Sequence, residues 1–142
     1  MQSIHATAVA IENRGVLLRG PSGAGKSDLA LRLIDGGAVL VADDRIELTC
    51  NSNFLMAHCP RAIGGKLEVR GVGILTLPFV SPAAVTMIVD LVQPEEIERL
   101  PNPRRVDLLG KSIRKLALAP FEPSAAAKVR SAVNATAMKS KL

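Results

Sequence analysis

The chain has 142 residues, 48% of them apolar and 22% charged, proportions that suit a packed domain and exclude disordered or collagen-like composition. Trp and Tyr are absent and only three Phe are present, which disfavours modules that stack nucleic-acid bases on several rings. The formal charge of +5 is uneven: residues 1–100 hold nine Lys/Arg against eleven Asp/Glu, whereas residues 101–142 hold nine against two, a basic block whose simplest reading is a solvated surface.

In chain order, Ala6 to Glu12 and Val16 to Leu18 are extended apolar runs around Asn13-Arg14-Gly15, which predicts a β-hairpin with its turn there. Gly20 to Gly25 is a Gly/Pro/Ser loop. Beyond it Leu29, Ala30, Leu33 and Ile34 fall on one helical face, and Gly36-Gly37 supplies a stop. Ala38 to Ala42 is a continuous apolar run suited to a buried strand, and it ends at two adjacent carboxylates, Asp43 and Asp44. Acids at a strand's carboxyl end point at a ligand crevice. Arg45 to Thr49 reads as an edge strand, Asn51 to Gly65 as loop with a little helix, and Lys66 to Val72 and Ile74 to Leu77 as strand or loop around Gly71 and Gly73.

Gly71 to Val89 carries no charged side chain and is about long enough to cross a bilayer, but Pro78 and Pro82 interrupt it. Two buried strands around a Pro-containing turn are predicted instead, and no membrane span. Val85 to Val92 is a further strand, Pro94 to Leu100 a short helix, Pro101 to Pro103 a breaker, and Ile113 to Ala119 a last strand. The Ala-rich stretch Ala125 to Met138 predicts a terminal helix. One domain over residues 1–142 is expected, of α/β class, with a core over about 4–120 and the basic helix over about 125–138. The start MQSIHATAVAI shows no secretory pattern, and Cys50, His58 and Cys59 match no common zinc spacing, so a reduced, cytoplasmic chain without a zinc centre is expected.

One motif carries chemistry. Gly20-Pro21-Ser22-Gly23-Ala24-Gly25-Lys26-Ser27 fits the phosphate-binding loop G-x-x-x-x-G-K-[ST] in full, and it follows an apolar strand and opens an amphipathic helix, as that loop must. Glycines let backbone N–H groups converge on phosphate oxygens, the helix offers its positive end, Lys26 reaches the β- and γ-phosphates, and the Ser27 hydroxyl binds Mg²⁺. ATP with Mg²⁺ is implied. Asp43 and Asp44 resemble the acidic end of a Walker B strand, where one carboxylate handles Mg²⁺ or its water and the other accepts a proton. Only sixteen residues separate Lys26 from Asp43, which places the acids on the very next strand.

His5, the loop Gly20 to Ser27, the strand end Val41-Ala42-Asp43-Asp44, and Leu67-Glu68-Val69-Arg70-Gly71-Val72-Gly73-Ile74 together resemble the catalytic domain of HPr kinase/phosphorylase, over about residues 4 to 120. The resemblance implies a mixed-sheet P-loop domain similar to the nucleotide core of phosphoenolpyruvate carboxykinase. It also implies ATP- and Mg²⁺-dependent phosphorylation of a serine of HPr, the small phosphocarrier of the sugar phosphotransferase system. Many members reverse this with inorganic phosphate, releasing pyrophosphate. By the same resemblance the Asp43/Asp44 pair holds the general base, Ser27 and Glu68 are Mg²⁺ ligands, His5 is the active-site histidine, and Arg99 handles phosphate. Glu68 and Arg70, two apart in a strand, share one face and suit a metal-bound carboxylate beside a phosphate-binding cation.

Family members assemble into hexamers, so a homo-oligomer is expected, with the basic C-terminal helix docking on a neighbour or attracting acidic surface of HPr. Two departures stand out. The N-terminal domain of longer members has no counterpart in these residues, and Ala119-Pro120-Phe121-Glu122-Pro123-Ser124 lacks the arginines of the family's Pro/Gly/Arg-rich loop. The competing functions are a small-metabolite kinase, for which Arg104-Arg105 is the only compact arginine pair, and a non-catalytic nucleotide sensor.

Overall fold

A computed structural model describes residues 1–141, with side chains as far as Ala135. The predicted hairpin is formed by β2 (Thr7–Ile11) and β3 (Arg14–Arg19), antiparallel with Val9 opposite Val16. Its turn sits one residue earlier than the sequence suggests. Glu12 and Asn13 carry it, both at positive φ (49° and 66°), as a tight two-residue turn between twisted strands requires, and Arg14 already belongs to β3.

Helix α1 (Lys26–Asp35) follows the glycine loop and stops at Gly36, whose N–H bonds back to the carbonyls of Arg32 and Leu33. Then come β4 (Val39–Ala42), β5 (Ile46–Cys50), β6 (Leu55–His58), the hairpin β7 (Lys66–Val69) and β8 (Gly73–Thr76), and β9 (Ala83–Leu91). The chain ends with β10 (Arg104–Leu108), β11 (Lys111–Leu118) and α2 (Ala125–Lys141). Short β1 (Gln2–Ile4) pairs with β5.

Among the described residues, nine strands join in one sheet that runs β1-β5-β6-β9-β3-β2-β4, with β11 on β9 and β10 on β11. β3, β9 and β11 are mutually parallel through β9, while β2 runs antiparallel to both β3 and β4. The sheet is therefore mixed, and the predicted α/β mixed-sheet class is borne out. Period-two alternation splits its apolar residues between two faces. Val9, Val16, Leu18, Leu40, Met87 and Val89 pack with Leu29 and Leu33 of α1 and Val129 and Val133 of α2. Ala8, Leu17, Val41 and Ile88 pack with Ile46, Leu48 and Leu55 of β5 and β6.

Several expectations need correction. β5 is no edge strand, because β1 and β6 flank it. The stretch 51–65 holds β6 as well as the short 3₁₀ turn Arg61–Ile63; only four residues long, β6 gave too little alternation to read. Of the two buried strands expected in 71–89, β9 is buried, but β8 lies mostly exposed in a two-stranded ribbon with β7. The helix expected over 94–100 shrinks to a 3₁₀ turn at Pro94–Glu96, capped reciprocally by Gln93 and Glu96. β10 was not expected at all. Its Arg-Arg-Val-Asp-Leu carries three charges and pairs only with β11, so no apolar face marks it.

Candidate active site

The loop Gly20–Gly25 links the carboxyl end of β3 to α1. Gly23 and Gly25 both take positive φ (82° and 101°), and a Cβ on Gly25 would stand 2.8 Å from the Phe121 ring. The left-handed backbone demands glycine at 25, and the Phe121 ring lies close over it. The Ala24 N–H bonds to the Pro21 carbonyl and the Leu29 N–H to that of Gly25, so the first intrahelical bonds begin beyond Lys26, Ser27 and Asp28. The N–H groups of α1's first turn thus face the loop's concavity, as anion binding requires.

Lys26 is 8% exposed, and its Nζ donates to the carbonyls of Gly20 (2.8 Å) and Pro21 (3.2 Å), so the ammonium is bent over the loop. The Ser27 hydroxyl donates to Asp43 Oδ1 at 2.6 Å. Asp43 is the hub of the site. Its Oδ1 also accepts from Thr7 Oγ1 (2.9 Å), and its Oδ2 from the backbone N–H of Glu68 (3.1 Å), which ties β7 to the end of β4. Asp44, exposed and at φ 66°, donates its N–H to Thr7 Oγ1 (3.1 Å).

These groups line a cleft of about 450 Å³. Lys26, Ser27, Asp43, Asp44, Glu68 and Arg70 all border it, as do Asp28, Leu31 and Phe121. Glu68 and Arg70 are exposed while Leu67 is buried, so they share the outer face as their spacing suggests. Four carboxylates against two cations would repel a bare triphosphate, but they suit one that arrives with a divalent cation. Among the described residues no group of three or more His, Cys, Asp or Glu side chains is gathered to hold a metal. The oxygen donors Ser27 and Glu68 nevertheless suit Mg²⁺, which takes one or two carboxylates and fills its sphere with phosphate and water.

Two expected site residues stand apart. His5 is exposed at the bend between β1 and β2 and does not border the cleft, although two residues later Thr7 does reach Asp43. Arg99 is exposed on the segment after the 3₁₀ turn, also away from the cleft lining. Sequence reasoning passed over Thr7 and Phe121. The one sequence trace of Thr7 is a lone hydroxyl in the apolar run Ala6-Thr7-Ala8-Val9-Ala10, which does not by itself say what it meets; for Phe121 it is the scarcity of aromatics. Cys50 and Cys59 are free thiols, and His58 Nε2 lies 2.8 Å from Thr49 Oγ1.

The model of the HPr Serine kinase C-terminal domain family matches residues 1–142. The chain belongs to this family. It is 37% identical over 128 residues to the HPr kinase/phosphorylase of Bordetella avium, and 38% identical over 128 residues to that of Bordetella pertussis; each match covers 82% of this chain and 42% of the relative. It thus spans about two fifths of the length of these curated relatives. A solved structure of the Hpr(Ser) kinase/phosphatase from Coxiella burnetii superposes with a TM-score of 0.87 at 30% identity, covering 99% of this chain and 93% of that one. The family's fold is therefore that of this chain. Among the described residues no helix is long and apolar enough to cross a membrane.

Proposed function

We propose that this chain is an ATP- and Mg²⁺-dependent serine kinase whose acceptor is the phosphocarrier HPr, with transfer in the cleft between the phosphate loop and the end of β4. The observation that carries the reading is the 2.6 Å contact of Ser27 with Asp43 inside a complete phosphate loop. It puts a carboxylate within one hydrogen bond of the position where a γ-phosphate and its metal belong.

Ser27 and Glu68 hold Mg²⁺, whose charge offsets that developing on the transferring phosphoryl group. The N–H groups of Gly23 to Ser27 and the Lys26 ammonium bind the phosphates; Lys26 exchanges its loop carbonyls for anionic oxygens, a stronger pairing in a half-dry site. Asp43 rather than Asp44 is the base, because Asp43 is aimed into the loop and held by Thr7, whereas Asp44 is exposed. Asp43 takes the proton of the acceptor serine as its Oγ bonds to the γ-phosphorus and the bond to the β-phosphate bridging oxygen breaks, releasing ADP. Phosphorolysis uses the same groups: Asp43 takes a proton from inorganic phosphate as the phosphate oxygen bonds to the phosphoserine phosphorus, the serine Oγ–P bond breaks, Asp43 passes the proton to the leaving Oγ, and serine and pyrophosphate are the products. Arg70, which borders the cleft at its rim, handles phosphate.

The partners proposed are HPr and further copies of this chain, in a hexamer as in the family, and the compartment is the cytoplasm, where ATP and HPr are found. Val72 and Ile74, each 71% exposed on the β7–β8 ribbon, support the reading by offering apolar surface beside Glu68 and Arg70. Incubation with ATP, Mg²⁺ and purified HPr, followed by peptide mass spectrometry, should find one phosphoserine on HPr. Phosphate moved only to a small molecule, or no transfer despite ATP binding, would overturn the assignment.

A further inference from the structure

The cleft of Lys26, Ser27 and Asp43 accounts for phosphates and acceptor but leaves the nucleoside unplaced. On the other flank of the loop lies a second cavity of about 640 Å³, within the roughly 300–1,000 Å³ of small-molecule sites. Its walls are the loop residues Pro21 to Ala24, the chain leaving β9 at Leu91 to Pro94, and the segment Ala119 to Glu122 after β11. β9 is parallel to both β3 and β11, so these three strands bring their carboxyl ends to one rim, the place where open α/β sheets bind ligands. Asp43 comes from β4, which lies on the opposite side of β3, beyond β2. Metal and acceptor chemistry thus lie on one flank and this cavity on the other.

Phe121 borders both spaces. Its ring rests on Gly25 and is 69% exposed, so one face lies against the loop's last glycine while the rest stays open to a ligand. The ring is also anchored. The Arg32 guanidinium, paired with Asp28, donates to the carbonyls of Pro120 and Glu122 on either side of it, and Glu122 pairs with Lys128 at 2.6 Å. A flat apolar surface held beside a phosphate loop matches a base linked to phosphates in the loop.

We propose that this cavity is the nucleoside subsite and that Phe121 is its stacking platform, with the base of a nucleoside triphosphate lying on the ring while its phosphates run through Gly23 to Ser27. The inference rests on the phosphate-loop reading above.

The test is equilibrium binding of Mg²⁺-ATP and Mg²⁺-tripolyphosphate to the full chain and to Phe121→Ala and Phe121→Trp variants. Phe121→Ala should weaken ATP about tenfold, the scale of losing one base–aromatic stack, and leave tripolyphosphate unchanged. Phe121→Trp should keep ATP affinity, and since the natural chain has no Trp, its single indole should be quenched by ATP but not by tripolyphosphate. The indole readout also decides the matter if the alanine variant does not fold. Equal weakening of both ligands, unchanged ATP affinity, or an indole that responds alike to both would overturn the subsite. If the natural chain binds neither ligand, the phosphate-loop reading itself falls, and the subsite with it.

Discussion

Asp43 accepts from Thr7, Ser27 and the Glu68 N–H, so three separate elements converge on one carboxylate, while Lys26 is nearly buried against loop carbonyls. In the proposed mechanism Lys26 is the cation that meets the γ-phosphate, and Lys26→Ala removes it. ATP affinity or turnover should fall at least a hundredfold while the fold persists, measurable by calorimetric titration beside a circular dichroism melt; unchanged binding and transfer would sink the loop assignment. At the two thiols, burial pushes the Cys59 pKa up, helped by Glu47 and opposed by the Gly65 backbone hydrogen bond. Its reactive thiolate is therefore scarce at neutral pH and grows only as pH rises further. Iodoacetamide at pH 7.5 should label exposed Cys50 before Cys59, with the gap narrowing toward pH 10, as peptide mass spectrometry would record. The loop and acid pair were legible residue by residue because phosphate chemistry fixes both type and spacing. Thr7 was not, since its role depends on β4 lying beside β2, a contact between residues 36 apart in sequence.

At the scale of elements, local signals carried well where one strong pattern ruled. The hairpin, the loop, α1 and β4 were legible, because apolar runs and glycine stops mark them without tertiary help. β6 and β10 were not: β6 is only four residues long, and β10, paired with its neighbour β11 alone, carries three charges in five residues and shows no apolar face. α2 was expected as a basic outer helix, but Ala125, Val129 and Val133 are buried in the core beside Leu33 of α1. Removing residues 125–142 would thus strip core packing and would not isolate an electrostatic tail. Leu33→Ala, deleting a fully buried side chain, should cost about 2–5 kcal/mol. A lowered urea midpoint with an unchanged slope would show it, and a midpoint within experimental error of the natural protein would mean that α1 is not packed as described.

At the scale of the molecule, much of the C-terminal basic block is engaged within the fold. Arg104 pairs with Glu98, Lys115 with Asp90, Lys128 with Glu122, and Arg130 donates to the carbonyls of Arg32 and Leu33 at the end of α1. These contacts hold the basic side chains against the fold, and recognition of HPr is proposed at the cleft rim and the β7–β8 ribbon. The sheet order divides labour about β3: β4 delivers the acid on one flank, and β9 and β11 frame the second cavity on the other. The central claim is that Asp43 activates the acceptor serine at the phosphate loop. Single-turnover transfer from labelled ATP to HPr, compared between the natural chain and Asp43→Asn with ATP affinity measured alongside, tests it most directly. Asp43→Asn should transfer at a rate lower by roughly a hundredfold or more with ATP still bound; a variant that labels HPr at the natural rate would contradict a base at Asp43.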